Sequence, residues 1–157
     1  MKVENGMPKE TIKSLNKLLQ GEYMAVQSFN NFISRIEDDK VKNSFKDIQS
    51  QHRENINKLV SYIQDIGGKP EENLGMMGIM GEVKLNIDLG LKEDTLEIID
   101  KAIEGETKGV NMAEKILRGN LDDKSRVITG EILEKDRESI EKLKDLKNII
   151  SSRKVIS

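Results

Sequence analysis

Four long stretches of the sequence repeat apolar residues at alternating intervals of three and four, which is the spacing of one face of an α-helix. Near its middle, each apolar stripe is interrupted by one titratable side chain. In chain order these side chains are Glu22, His52, Glu106 and Asp136. Four such helices bury their stripes against one another in a four-helix bundle. The pattern therefore predicts an all-α bundle whose apolar core contains one polar layer.

The same periodicity places the helices at about 9–37, 40–66, 95–118 and 123–151. Asp94 is predicted to cap the third helix, because an N-cap side chain accepts a backbone N–H of the first turn. Residues 67–94 then separate the second helix from the third, whereas neighbours joined at one end of a bundle need only about 2–8 residues. This connector predicts a long crossover along the bundle. One domain, 1–157, is expected.

The first and second halves of the chain align without a gap. Sliding residues 18–66 onto 102–150 gives 13 identities in 49 positions, where average composition gives roughly 3 by chance. Glu22 then corresponds to Glu106, and His52 to Asp136. The alignment predicts two duplicated helical hairpins. Gly21 and Gly105, one before each glutamate, are expected to allow close helix approach.

Counting residues from the hairpin turn puts Glu22 and His52 at the same height, since an α-helix rises about 1.5 Å per residue. The duplication repeats this for Glu106 and Asp136, so the four side chains are predicted to converge on one layer. Isolated buried charges are too costly to be left alone. They need a cation, protons, or a cationic side chain. Arg53 and Arg137, which follow two of the layer positions, could turn inward for this purpose.

The layer resembles the site of ferritin-like di-iron carboxylate proteins. Their ligand set is a glutamate on the first and third helices and a Glu-x-x-His on the second and fourth. The connector "GGKPEENLGMMGIMGEVKLNIDLGL" and the "EGE" of the third helix are similar to a little-characterised bacterial group of ferritin-like four-helix-bundle proteins of unknown function. The resemblance covers residues 10–150. The matching positions are Glu22, Gln49-x-x-His52, Glu106 and Leu133-x-x-Asp136.

The departures from that ligand set predict a degenerate site. Gln49 and Leu133 stand where the family has its two bridging glutamates, and Asp136 replaces the second histidine. A neutral amide is a poor bridge between metals and leucine is none. The prediction is at most one divalent ion, Fe, Mn or Zn, because an imidazole with oxygen donors suits such ions. The predicted ligands are Glu22, His52, Glu106, Asp136 and Gln49.

Two functional interpretations stay open at this point. In the first, the chain is a metal-binding ferritin-like protein for storage, sensing or a residual metal-dependent redox reaction of the ferritin or rubrerythrin type. In the second, it is a non-enzymatic bundle that acts through self-association or a protein partner. The polar layer is then purely structural, with a buried ion pair of His52 and Asp136. As to activity, the degenerate site slightly favours the second interpretation, in which the bundle is not an enzyme.

Composition excludes several other classes of function. The 26 basic and 28 acidic side chains are interspersed and leave a net charge of −2, which argues against nucleic acid and against a membrane surface as partners. The absence of cysteine rules out thiolate metal sites and disulfides. The first residues lack the apolar core of a signal peptide, so a cytoplasmic protein is expected. A second copy of the chain is left open as a partner.

Overall fold

The computed structural model describes residues 7–72 and 94–156, and these residues form four α-helices. The predicted helix bounds agree with the observed ones to within two residues, except that the last helix continues five residues further. Within the described ranges, no helix combines the length and apolar character that crossing a membrane requires. The helices are α1 (Met7–Arg35), α2 (Asp39–Asp65), α3 (Thr95–Leu117) and α4 (Asp123–Ile156).

Aspartate side chains begin three of the helices. Asp94 accepts a hydrogen bond from the backbone N–H of Glu97 at 2.9 Å, which confirms it as the N-cap of α3. Asp38 accepts the backbone N–H three residues later at 3.0 Å at the start of α2, and Asp122 does the same at 3.0 Å at the start of α4. Asp38 and Asp122 are equivalent positions in the aligned halves. Their matching caps support the duplication.

The core consists of two apolar clusters at opposite ends of the bundle. The first contains the end of α1, the starts of α2 and α3, and the end of α4; the second contains the remaining four helix halves. Side chains at the centre of the first cluster are Phe29, Phe45, Ile48, Ile99 and Leu143. Side chains at the centre of the second are Leu15, Leu19, Leu59, Ile63 and Ile132.

These clusters fix the direction of each helix. Because α2 ends in the second cluster and α3 begins in the first, residues 66–94 must join opposite ends of the bundle. Helix α1 packs on α2 and α3, and α4 packs on the same two helices, so every adjacent pair is antiparallel. The predicted crossover is confirmed by these endpoints. Most of the predicted connector, residues 73–93, lies outside the described residues.

The first residues of the crossover turn back along α1. Gly67 makes this turn with a φ of +85°, a conformation that side chains disfavour. Asn16 then donates from its Nδ2 to the Lys69 carbonyl at 3.1 Å and accepts the Glu71 N–H at 2.9 Å. One helical turn further, Gln20 donates to the Glu71 carbonyl at 2.7 Å. The chain therefore leaves α2 in the direction that the crossover needs.

The predicted apolar stripes are buried for most of their length, but each helix buries a wider face than one stripe. This follows from the packing, since each helix contacts two neighbours. Seven stripe residues are only partly buried: Ile12, Ile33, Ile66, Leu96, Ile103, Leu117 and Ile140. Five apolar or aromatic residues beside the stripes are buried as well: Leu18, Phe32, Tyr62, Ile98 and Ala102.

The two glycines predicted to allow close helix approach behave differently. A Cβ added to Gly21 would lie 2.5 Å from the Met112 Cε of α3, so a side chain of α3 does come close to the backbone of α1 there. A Cβ added to Gly105 would meet nothing within 4 Å, and the prediction is wrong for this position. The alignment found equivalent glycines, but the halves pack differently around them.

Two glycine-to-alanine substitutions should change the free energy of unfolding in opposite directions and so test the backbone conformation. Gly67→Ala should lower the free energy of unfolding by about 1 kcal/mol, because alanine is strained at positive φ. Gly130→Ala, inside α4 where an added Cβ meets nothing within 4 Å, should raise it by up to about 1 kcal/mol. Both values come from chemical denaturation. Changes of the same sign would contradict the assigned conformations.

Candidate metal centre

One buried polar layer lies between the two apolar clusters, and each helix contributes one titratable side chain to it. Glu22 comes from α1, His52 from α2, Glu106 from α3 and Asp136 from α4. Their exposed fractions are 4%, 3%, 5% and 3%. The structure therefore brings together four of the five residues predicted as ligands.

His52 is at the centre of this layer. Its Nδ1 lies 2.7 Å from Glu22 Oε1, and its Nε2 lies 2.9 Å from both carboxylate oxygens of Glu106. Asp136 Oδ1 is 3.6 Å from Nδ1. The predicted pairing of His52 with Asp136 is therefore the longest of the three contacts, and the two glutamates are the principal partners of the ring.

The contacts of the ring favour its charged form. Burial on its own would lower the pKa of His52, but attraction to Glu106 and Glu22 and the hydrogen bonds to both outweigh it, so the pKa lies well above 6.5. An ionised carboxylate only accepts hydrogen bonds, and both ring nitrogens face carboxylate oxygens. Both nitrogens therefore carry protons when no other cation is present.

The carboxyl groups that α1 and α4 contribute to the layer differ in their protonation state. Burial and then repulsion by Glu22 raise the pKa of Asp136 to about 9. Burial also acts to raise the pKa of Glu22, but attraction to His52 and hydrogen bonds from His52, Asp136 and Asn55 lower it overall. At neutral pH, Glu22 is ionised and Asp136 holds a proton. Two carboxyl groups of the same layer thus have opposite states.

Asn55 belongs to the layer, and the sequence analysis missed it. Its Nδ2 donates to Glu22 Oε1 at 3.0 Å and lies 3.3 Å from Asp136 Oδ1, while its Oδ1 accepts from Gln51 at 3.1 Å. The available signal was a polar residue three positions after His52, which places it on the same face of α2. Asn55 holds the carboxyl groups of α1 and α4 beside each other.

Gln49 and Leu133 lie outside the layer contacts. The Gln49 amide donates to the Val26 carbonyl at 2.9 Å and to Asn30 Oδ1 at 2.8 Å, and its oxygen accepts from Arg53 at 3.0 Å. Leu133 is buried in the second apolar cluster. Metal ligation by Gln49 stays a prediction. Its hydrogen bonds in this structure go to Val26, Asn30 and Arg53, and not to the side chains of the layer.

The two arginines considered as neutralising cations are not in the layer. Arg53 is exposed and donates to the Gln49 side chain. Arg137 is exposed and pairs with Glu114 on α3. The inward orientation is therefore wrong for both. The imidazolium of His52 and the proton on Asp136 reduce the negative charge of the layer instead.

The donor atoms suit one metal ion. One ligand atom from each of Glu22, His52 and Asp136 can be chosen so that all lie within 4.8 Å of one another. A nitrogen and carboxylate oxygens are the mixed donors that first-row divalent ions accept. Asn55 could add a carbonyl oxygen only if its amide turned over. These three residues could hold a single ion, and the side chain of Leu133 has no donor atom for a metal.

Comparison with known proteins places the chain among ferritin-like folds. A family model described as Domain of unknown function (DUF2383) matches residues 10–119. No curated protein matches the sequence. A dodecameric thioferritin from Bacteroides fragilis, described as bacterioferritin-related, superposes with a TM-score of 0.75 at 17% identity over 98% of this chain and 94% of that one.

Two further solved structures share the bundle. Ferritin-like, diiron-carboxylate proteins from Bacillus anthracis give a TM-score of 0.70 at 22% identity over 90% of this chain and 98% of theirs. A two-domain protein from Anabaena variabilis, with DJ-1/ThiJ/PfpI-like and ferritin-like domains, gives 0.74 at 16% identity. This chain spans 38% of that protein's length and is itself covered to 92%. At these identities the likeness establishes the fold alone.

Asp136→Asn tests the protonation of the layer. The raised pKa means that folded Asp136 keeps a proton which the unfolded chain loses above about pH 3.9, so its contribution to stability falls as pH rises from there towards 9. In chelator, the variant should therefore be more stable than wild type at pH 8.5, by about 1–3 kcal/mol. The difference should shrink towards pH 4.5. Chemical denaturation across this range measures it, and a difference independent of pH would contradict the assignment.

Proposed function

This chain belongs to the family described as Domain of unknown function (DUF2383), and we propose that it is a ferritin-like protein that binds at most one divalent metal ion in the buried layer. The proposed ligands are Glu22, His52 and Asp136. The observation that carries the proposal is that their donor atoms cluster within 4.8 Å in a water-excluded core. When bound, a first-row divalent ion supplies a Lewis-acidic centre there.

The charge of the layer supports this assignment. Without metal, the layer holds the ionised carboxylate of Glu22, the imidazolium of His52, whose Nε2 faces Glu106, and neutral Asp136. A divalent ion that displaces one proton from His52 and one from Asp136 leaves the same net charge. Binding is then an exchange of two protons for one ion, and its affinity falls at low pH. The buried environment tolerates both forms.

The limit of one ion follows from the two departures from the di-iron ligand set. Gln49 is engaged by α1, and Leu133 is part of the apolar core. Neither offers a carboxylate to bridge a second ion. Storage or sensing of a single ion, or a residual redox reaction at it, are the activities that such a site supports, with Fe, Mn or Zn as the ion.

A structural role for the layer is the second candidate, and one observation favours it. Glu22, His52 and Glu106 are joined to one another by hydrogen bonds at 2.7–2.9 Å, and Asn55 contributes another at 3.0 Å. In this alternative the bundle works by self-association or with a protein partner. The dodecamer formed by the thioferritin of Bacteroides fragilis makes a homo-oligomer the first partner to test. The cytoplasmic location stays a prediction of the sequence.

Elemental analysis of protein purified without chelator tests the proposal. We expect no more than one Fe, Mn or Zn per chain, and one equivalent taken up from added Zn²⁺ or Mn²⁺ at pH 7.5. Glu22→Gln and Asp136→Asn should each weaken binding by more than the ~10–100-fold typical of outer-shell changes. The ion should raise the melting temperature of wild type, because it binds only the folded chain.

Glu131→Gln is the matched control for these variants. It removes the same charge from an exposed acid of α4 that pairs with Lys58 at 3.1 Å, and it should leave metal affinity unchanged. Two ions per chain, or equal binding by wild type and the Glu22 variant, would contradict the site. Wild type that takes up no ion between pH 7 and 8.5 would leave the structural alternative.

Restoring the missing carboxylates tests the limit of one ion. The triple variant Gln49→Glu, Leu133→Glu and Asp136→His supplies the full di-iron ligand pattern at the aligned positions. It should bind two ions per chain, while being several kcal/mol less stable than wild type in chelator because it adds charge to the core. Metal analysis and a melt with and without Fe²⁺ give both numbers. A folded variant that still binds one ion would show that the bridging positions are misplaced.

A further inference from the structure

The two ring nitrogens of His52 face different surroundings. Nδ1 faces the carboxyl groups of Glu22 at 2.7 Å and Asp136 at 3.6 Å. Among residues 7–72 and 94–156, Nε2 faces only the carboxylate of Glu106, and both oxygens of that carboxylate are at 2.9 Å. An ion at Nδ1 would therefore have two carboxylates beside it, and an ion at Nε2 would have one. The asymmetry identifies Nδ1 as the ligating nitrogen.

Packing holds the ring in this orientation. The Phe29 ring lies against the imidazole with centroids 5.9 Å apart, and its own neighbours Phe32 and Phe45 are 5.6 and 5.2 Å away. Phe29 and His52 are almost fully buried. Turning the ring by 180° about its Cβ–Cγ bond would put ring carbons where the two nitrogens now lie, and the ring would lose its bonds to both glutamates. The arrangement of donors is therefore built into the core.

We propose that Glu106 is a positioning residue for the metal centre and not one of its ligands. It accepts the Nε2–H of His52 and so holds the neutral imidazole in the tautomer whose Nδ1 lone pair points at Glu22 and Asp136. A carboxylate in this position also makes the ligating nitrogen more basic. This inference rests on the proposed function. It changes the predicted role of Glu106, which the di-iron pattern makes a ligand.

A nitrogen-15 NMR spectrum of the zinc-loaded protein tests the tautomer. His52 is the only histidine, so its two ring nitrogens give an unambiguous pair of signals. We expect a directly bonded proton on Nε2 and none on Nδ1, which carries the zinc. Zinc bound at Nε2 with the proton on Nδ1 would overturn the inference while leaving the proposed function intact. A protein that takes up neither Zn²⁺ nor Mn²⁺ nor Fe²⁺ would overturn both.

Glu106→Gln tests the role of the carboxylate with a side chain that can still accept the ring N–H. We expect one zinc per chain, a dissociation constant about 10–100-fold weaker than wild type, and unchanged ring-nitrogen assignments. The matched control is Glu104→Gln, an exposed acid on the same helix, which should bind as wild type does. Loss of zinc equal to that of Glu22→Gln would make Glu106 a ligand, and unchanged affinity would remove its role. The wild-type spectrum decides the tautomer even if the variant does not fold.

Discussion

The constraint on which the structure depends is that ionised side chains inside an apolar core must be neutralised. Three carboxyl groups and one imidazole meet where little water can solvate them. His52 supplies most of this neutralisation, because its two ring nitrogens contact Glu22 on one side and Glu106 on the other. Three helices are thereby joined through one ring. The fourth, α4, joins through Asp136, which keeps its proton because burial and then repulsion by Glu22 raise the pKa of its carboxyl group.

The same constraint explains which residues occupy the two positions that bridge metals in the di-iron pattern. Each additional carboxylate would need more positive charge than the layer contains. Leu133 instead extends an apolar cluster, and the amide of Gln49 ties α2 to the Val26 carbonyl of α1. The two positions that bridge metals in the di-iron pattern serve packing and hydrogen bonding in this chain. The proposed centre has donors that could hold one ion, and its side chains also satisfy one another through hydrogen bonds.

The fold follows from local pattern and arithmetic. Apolar residues recur at alternating intervals of three and four positions, and this spacing defines the helices, since each residue turns a helix by about 100°. The length of the connector indicates the crossover, and the caps of Asp38 and Asp122 occur at equivalent places in both halves. Membership of the layer was predictable in the same way. Angle and height along a helix are properties of the sequence, so Glu22, His52 and their two counterparts could be placed before any contact was known.

By itself, then, the sequence determined the all-α bundle, the crossover, and the height at which four polar side chains meet. Only the tertiary structure decided what these side chains touch. It paired His52 with Glu22 and Glu106 ahead of Asp136, brought in Asn55, and kept Arg53 at the surface. The reason is that helical periodicity fixes where a Cβ points, whereas side-chain torsions and the rotation of neighbouring helices come from packing all four together. Which ring nitrogen faces which carboxylate is set by distances of a few ångströms between residues of different helices, and no pattern within one helix contains that information.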